Sequence, residues 1–261
     1  MKPPLTYYGG KQTLADTIKA IIPKHALYCE PFFGGGAVFF SKLPSEMEVI
    51  NDTNQDLINF YKIVKSNFSS LSKEIACTLH GREYHRTASV VLAQPHLFND
   101  VKRAWAIWVL ANQSYASKLD GPWGFDKARN TSAKRLHNKR VAFTKHYAKR
   151  LEKTEIESAD ALYVIKSRDT KDSFFYCDPP YFNSNMGHYK GYSKDDFEKL
   201  LVLLSKIKGK FLLSSYPSPL LSKYIKANKW HCKKMDMPLV VSARLDAKKR
   251  KVEVLTANYP I

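Results

Sequence analysis

Residues 26–40 read ALYCEPFFGGGAVFF. A short apolar run meets an acid, Glu30, then Pro31 and Phe32, then the glycines Gly34–Gly36, then a second apolar run. Glycine has no Cβ, so a glycine turn between strand and helix lets a ligand approach the backbone closely. An acid there can accept from an ammonium group or a hydroxyl. A strand follows at MEVIND, residues 47–52. It ends on Asp52, about 20 residues after Glu30, where nucleotide-binding folds hold ribose hydroxyls. A further helical pattern starts near Asn54. Strand, turn, helix and strand with a closing acid predict the opening of a nucleotide-binding α/β unit. A tight turn whose glycines only permit packing would look the same in this stretch alone.

A second stretch, YCDPPYF at 176–182, ends the apolar run SFFYC. Pro179 and Pro180 have fixed φ, and each keeps its predecessor out of the helical region. The tetrapeptide Asp178–Tyr181 is therefore a rigid turn at a strand's C-terminal end, where open α/β sheets bind ligands. The Asp178 carboxylate and the Pro179 carbonyl can both accept from one amino group, leaving its lone pair freer to attack. Tyr181 offers a ring on which a base can stack. An ordinary strand-ending turn with a solvated acid is the plainer alternative.

Around these stretches the pattern is mixed. Leu14, Ile18, Ile21 and Ile22 share a helical face that Pro23 stops. Residues 62–155 look largely helical, with Val101, Ala104, Trp105, Trp108 and Val109 on one stripe. This region is expected to be an insert, flanked by an α/β domain made of 1–61 and 156–261. Past the DPPY turn, Ser193 and Asp196 give a capping-box signal for a helix with Phe197, Leu200, Leu201, Leu204 and Ile207 on its apolar face. Gly209 is expected to close it. KFLLSSY and VEVLTANY read as late strands.

The chain has 261 residues with 42 Lys+Arg against 24 Asp+Glu, a formal charge of +18. Such an excess is a partner signal, and a polyanion is the usual partner. Lys134, Arg135, Lys139, Arg140, Lys145, Lys149 and Arg150 crowd one part of the insert, and Lys248, Lys249, Arg250 and Lys251 form a second cluster. Four scattered cysteines show no CxxC spacing and eight histidines form no metal-like cluster, so no metal is expected. Nothing approaches the roughly 20-residue apolar run of a membrane span. The N-terminus lacks the apolar core of a secretory signal. A nucleic-acid partner, and free thiols in a reducing compartment such as the cytoplasm, are the expectation. GGK at Gly9–Lys11 is not an ATP-binding loop, because Leu5 and Gln12 stand where that motif needs Gly and Ser/Thr.

Together these stretches resemble the Dam-like, D12 class of DNA adenine-N6 methyltransferases. YYGGK at 7–11, EPFFGGG at 30–36, ND at 51–52, the run 158–181 into DPPY and VEVLTANYP near the C-terminus match that family's motifs in order. The resemblance implies a Rossmann-like sheet that binds S-adenosyl-L-methionine (AdoMet), with a helical insert for target recognition. It implies that Tyr7 and Lys11 lie by the methionine end of AdoMet, with Gly9 and Gly10 also in the cofactor-binding set. Glu30 lies near its amino group, Pro31 and Phe32 also belong to the cofactor-binding set, and Gly34 and Gly36 leave room for its backbone. Asp52 binds the ribose and Asp160 lies near the adenine of AdoMet. Asp178, Pro179, Pro180 and Tyr181 hold an adenine flipped out of duplex DNA, with Asp178 also near AdoMet.

Recognition of the DNA site is expected from the loop 113–129, including Gln113, Ser114, Tyr115, Lys118 and Arg129, and from Lys134, Arg135, Lys139 and Arg140. Side chains of these types read base edges or hold phosphates. The chain departs from the GATC-methylating branch at Thr6, where that branch has Lys, and at Gln113, where it has Arg. A GATC site is therefore not carried over. The resemblance leaves open a cognate restriction endonuclease. N4-cytosine methylation and a catalytically inactive DNA-binding module are the rival functions.

Overall fold

The computed structural model describes residues 1–183, 192–238 and 250–261. Two compact units divide the chain. One comprises 1–20, 34–44 and 52–158, and the other comprises 21–33, 45–51 and 159–261. The expected insert, 62–155, lies wholly within the first unit.

The first unit is mostly helical. Its helices are α1 (Ala15–Ala20), α2 (Ala37–Ser41), α3 (Gln55–Ser66), α4 (Phe68–Ala76), α5 (Arg82–Ala93), α6 (Asp100–Gln113), α7 (Thr131–Ala142) and α8 (His146–Leu151). The centre is α6, which packs on α3, α4 and α5. The sequence suggested a stripe on this helix. Instead every residue from Ala104 to Ala111 is buried, the pattern of a helix enclosed on all sides. Its start is fixed by Asn99, whose side chain accepts from the Lys102 N–H at 2.8 Å. Arg103 ties it to α3 through Asp56 at 2.6 Å. Asn54 caps α3, accepting from the N–H groups of Asp56 and Leu57.

The second unit carries most of the sheet. Among the described residues there are seven strands: β1 (Leu27–Glu30), β2 (Met47–Asn51), β3 (Thr154–Glu157), β4 (Ser173–Cys177), β5 (Lys210–Ser215), β6 (His231–Pro238) and β7 (Arg250–Ala257). All but β3 belong to the second unit, in the order β2-β1-β4-β5-β7-β6. β2, β1, β4 and β5 run parallel, and β7 joins β5 antiparallel. The strands expected at 47–52, at SFFYC and in the two late runs are all present. The mixed α/β class with a mainly parallel sheet is as expected.

β4 is buried along its whole length, which suits an apolar run between two parallel neighbours. Its Phe175 and Cys177 join Cys29, Val49, Phe211 and Leu213 in one core with helices α9 (Ala161–Ser167), α10 (Lys194–Leu204) and α11 (Pro219–Asn228). The expected capping box starts α10: Ser193 Oγ accepts from the Asp196 N–H at 3.1 Å, and Asp196 Oδ2 accepts from the Ser193 N–H at 3.0 Å.

One expectation needs correction, and one strand had no expectation. Gly209 does not close α10, which ends at Leu204. A Cβ at position 209 would lie 2.7 Å from the Ser173 carbonyl oxygen and 2.9 Å from that of Thr170, so glycine is needed for close backbone approach. Strand β6 had no sequence signal, because HCKKMDMP is polar. It is an edge strand, exposed from His231 to Lys234, where lysines discourage pairing with other chains.

Candidate active site

In the second unit the strand order reverses between β1 and β4. From β1 the chain moves to β2 on one side, while β4 lies on the other. Parallel strands that diverge in this way leave a crevice at their C-terminal ends. Glu30 ends β1, Asn51 ends β2, and Asp178 follows β4. The register Cys29↔Phe175 brings the ends of β1 and β4 side by side.

Glu30 is buried at 2% exposure and accepts from the Tyr28 hydroxyl at 2.5 Å. Burial, and then the Glu30 charge, hold the Tyr28 pKa well above its ordinary value, so the phenol remains a donor. Asn51 is fully buried. Its amide donates to the Pro31 carbonyl at 2.9 Å and to the Ala159 carbonyl at 3.0 Å, and its oxygen accepts from the Ala159 N–H at 2.9 Å. One side chain thus fixes both the turn after Glu30 and the residue before Asp160. Sequence reasoning gave Asn51 no role of its own, although it stands next to Asp52. Asp160 is exposed and caps α9, accepting from the Tyr163 N–H at 3.0 Å. Phe32 packs on the sheet core and meets the Tyr192 ring edge-on at 6.5 Å.

In the DPPY turn, Pro179 is buried, and Asp178, Pro180 and Tyr181 are half-buried. The Tyr181 hydroxyl donates to Asp178 Oδ1 at 3.2 Å and lies 3.0 Å from Ser214 Oγ. Its ring stands edge-on to Tyr216, with centroids 4.5 Å apart. Burial, then the charges of Asp178 and Glu253, push the Tyr181 pKa far up, so it stays protonated. Burial and the Asp178 charge likewise raise Cys177, which leaves it a thiol and no nucleophile. The loop after the turn falls at 184–191, outside the described residues.

The first unit holds the other expected nucleotide-binding residues. Asp52 accepts from the Gly34 N–H through Oδ2 and from the Asn54 N–H through Oδ1, each at 2.9 Å. Burial raises its pKa, and those two backbone donors oppose the rise. Gly34 and Gly36 have φ of 50° and 65°, a region that favours glycine. A Cβ on Gly35 would come within 2.8 Å of Tyr7 Cβ, so the glycine loop is cut to receive Tyr7. Gly9 also has positive φ, and the Gly10 N–H donates to the Tyr7 carbonyl at 3.0 Å. Lys11 is buried and donates to the Gly9 carbonyl at 3.1 Å.

The residues expected on DNA, also in the first unit, divide into two groups. Gln113 is buried at 2% exposure; its amide donates to the Leu79 carbonyl and accepts from the Gly81 N–H, both at 3.0 Å. Ser114 is buried and shares a 2.9 Å hydrogen bond with His85. Arg140 donates to the Thr78 carbonyl at 2.8 Å. Lys139 is half-buried, and burial, then Lys2 and Arg135, push its pKa down to about 8. By contrast Tyr115, Arg129, Lys134, Arg135, Lys145 and Lys149 are exposed. Lys118 Nζ lies 5.5 Å from the Tyr8 ring centroid, within cation–π range. Lys248 and Lys249 lie outside the described residues.

Over residues 7–237 the chain matches the family model of the D12 class N6 adenine-specific DNA methyltransferases. It belongs to that family. It is accordingly an adenine-specific DNA methyltransferase, with DNA as its substrate. It is 27% identical to the Type II methyltransferase M1.LlaDCHI of Lactococcus lactis subsp. cremoris, over 99% of this chain and 96% of that protein. It is 26% identical to the Type II methyltransferase M.MjaIII of Methanocaldococcus jannaschii, over 99% of both chains. It is also 27% identical to the DNA adenine methylase of Haemophilus influenzae, over 75% of this chain and 70% of that one. Among the described residues of the methyltransferase, no helix is long and apolar enough to cross a membrane, and no group of three or more His, Cys, Asp or Glu could hold a metal ion.

Proposed function

We propose that the enzyme methylates the N6 amino group of adenine in duplex DNA, with AdoMet as methyl donor, after the base is turned out of the helix. The observation that carries this reading is the pairing of two acids, Glu30 and Asp178, at the adjacent ends of β1 and β4 where the strand order reverses. The residues suit AdoMet chemically. Glu30 is a buried acceptor for an ammonium group, Asp52 is a carboxylate for ribose hydroxyls, and Asp160 is an exposed acid for the adenine amine. Tyr7, Lys11 and the positive-φ glycines Gly34 and Gly36 are assigned to the same donor. When bound, AdoMet supplies a methyl group already activated by its sulfonium.

The protein's own task is then orientation. Asp178 and the Pro179 carbonyl accept from the target amine, and Tyr181 supplies a ring against the base. An adenine stacked in a duplex cannot reach these groups, which is why the base must leave the stack.

The region 62–155 is assigned to target recognition. Within it, Tyr115, Lys118 and Arg129 are the readers of the DNA site. Gln113 and Ser114 act as braces that hold the start of the reading loop, because their polar groups are engaged internally, and Arg140 is engaged with the Thr78 carbonyl. A cytoplasmic, DNA-associated enzyme fits this activity. The two Type II relatives motivate a search for an endonuclease of the same specificity.

Titration calorimetry with AdoMet alone tests the donor assignment. The folded parent is expected to bind one AdoMet per chain, and Glu30→Gln to bind it at least about tenfold more weakly. A parent that binds no AdoMet would remove the proposal. The exposed cations make a separate prediction. Each phosphate contact contributes about 0.9 to the slope of log affinity against log salt. Replacing Lys134, Arg135, Lys145 and Lys149 together by Ala is expected to reduce that slope by about three to four. The parental slope in that variant would take α7 and α8 off the DNA surface.

A further inference from the structure

We infer that Ser214 is a positioning residue for methyl transfer, acting through the Tyr181 hydroxyl on Asp178; this rests on the role proposed above for Asp178. A phenol has one proton. In the DPPY turn that proton goes to Asp178 Oδ1, at 3.2 Å. The second close neighbour, Ser214 Oγ at 3.0 Å, must then be the donor of its own bond. The chain of donation therefore runs from Ser214 to Tyr181 to Asp178. It holds the carboxylate by one oxygen and fixes the direction in which the other is presented.

The surroundings keep this direction. Ser214 is fully buried. It lies opposite Leu255 in the β5–β7 pair, so it shares a sheet face with Leu255 and with Glu253, two residues along β7. Glu253 is itself buried at 2% exposure. Its negative charge and that of Asp178 both oppose loss of the Tyr181 proton. The neighbouring Ser215 faces the other side of the sheet, because alternate strand residues point oppositely. The sequence SSY at 214–216 thus offers two serines, and the pleat selects the first.

The test is a double-mutant cycle with Ser214→Ala and Tyr181→Phe, read as single-turnover methyl transfer to duplex DNA. Ser214→Ala is expected to slow transfer by about three- to tenfold, with KM for DNA and affinity for AdoMet unchanged. In the Tyr181→Phe background the same change is expected to cost nothing further, because the hydroxyl that relays it is gone. If Ser214→Ala does not fold, Ser214→Cys, close in size and a weak donor, replaces it in the same cycle. An unchanged rate, a loss confined to KM, or an equal loss in the Tyr181→Phe background would overturn the role of Ser214. These results leave the proposed function standing. A parent that transfers no methyl to adenine would instead remove both.

Discussion

Replacing Asp178 by Ala is expected to lower single-turnover methyl transfer by about a hundred- to a thousandfold, while duplex DNA is bound nearly as before. A well-placed acceptor of developing positive charge is typically worth about 2.7–4 kcal/mol of barrier in comparable electrostatic roles. Asp178 sits at the end of a wholly buried strand, between a buried thiol and a buried proline, so its position is set by the core and not by solvent. The substitution leaves that frame intact. Tyr181 keeps Ser214 as a partner, and Pro179 and Pro180 still fix the turn. DNA affinity comes mostly from phosphate contacts elsewhere, so binding and chemistry separate. Tyr181→Phe keeps the ring and loses only the hydroxyl, so its effect is expected to be much smaller than that of Tyr181→Ala. Near-parental transfer by Asp178→Ala would sink the mechanism.

The second large effect concerns Asp52. Asp52→Ala is expected to weaken AdoMet binding by about ten- to a hundredfold, the loss of a charged acceptor for ribose hydroxyls. The structure adds a second consequence. The carboxylate also accepts from the Gly34 and Asn54 N–H groups, so Ala leaves two backbone donors without it. The variant should therefore unfold at lower temperature as well as bind less tightly. Asp52→Asn retains one oxygen and is expected to keep more of the stability than of the affinity. Calorimetry and thermal melting on the same samples separate the two effects. Unchanged affinity in folded Asp52→Ala would place the ribose elsewhere.

The strand ends that carry the candidate acids were legible because they are written in local patterns. An acid that follows an apolar run, as at Glu30, Asp52 and Asp178, marks a strand end whatever packs around it. Capping at Asn54 and Ser193 is equally local. What escaped was side-chain direction. Gln113, Ser114 and Arg140 have the composition of a DNA-reading surface, yet tertiary contacts turn them inward to Leu79, Gly81, His85 and Thr78. Asn51 escaped for the opposite reason: its three hydrogen bonds reach residues 20 and 108 positions away, which no local pattern encodes. Strand β6 escaped because an exposed edge needs no apolar signal, and the enclosure of α6 because a stripe and a fully buried helix begin with the same residues.

The most direct measurement is the identity of the methylated nucleoside. Duplex DNA containing all four bases is incubated with the purified enzyme and AdoMet labelled in its methyl group, then digested to nucleosides and resolved by mass spectrometry. The account predicts label in N6-methyladenine alone, at one recurring sequence, and its near absence with Asp178→Ala. Label in N4-methylcytosine, or no transfer by a folded enzyme that binds both DNA and AdoMet, would contradict it.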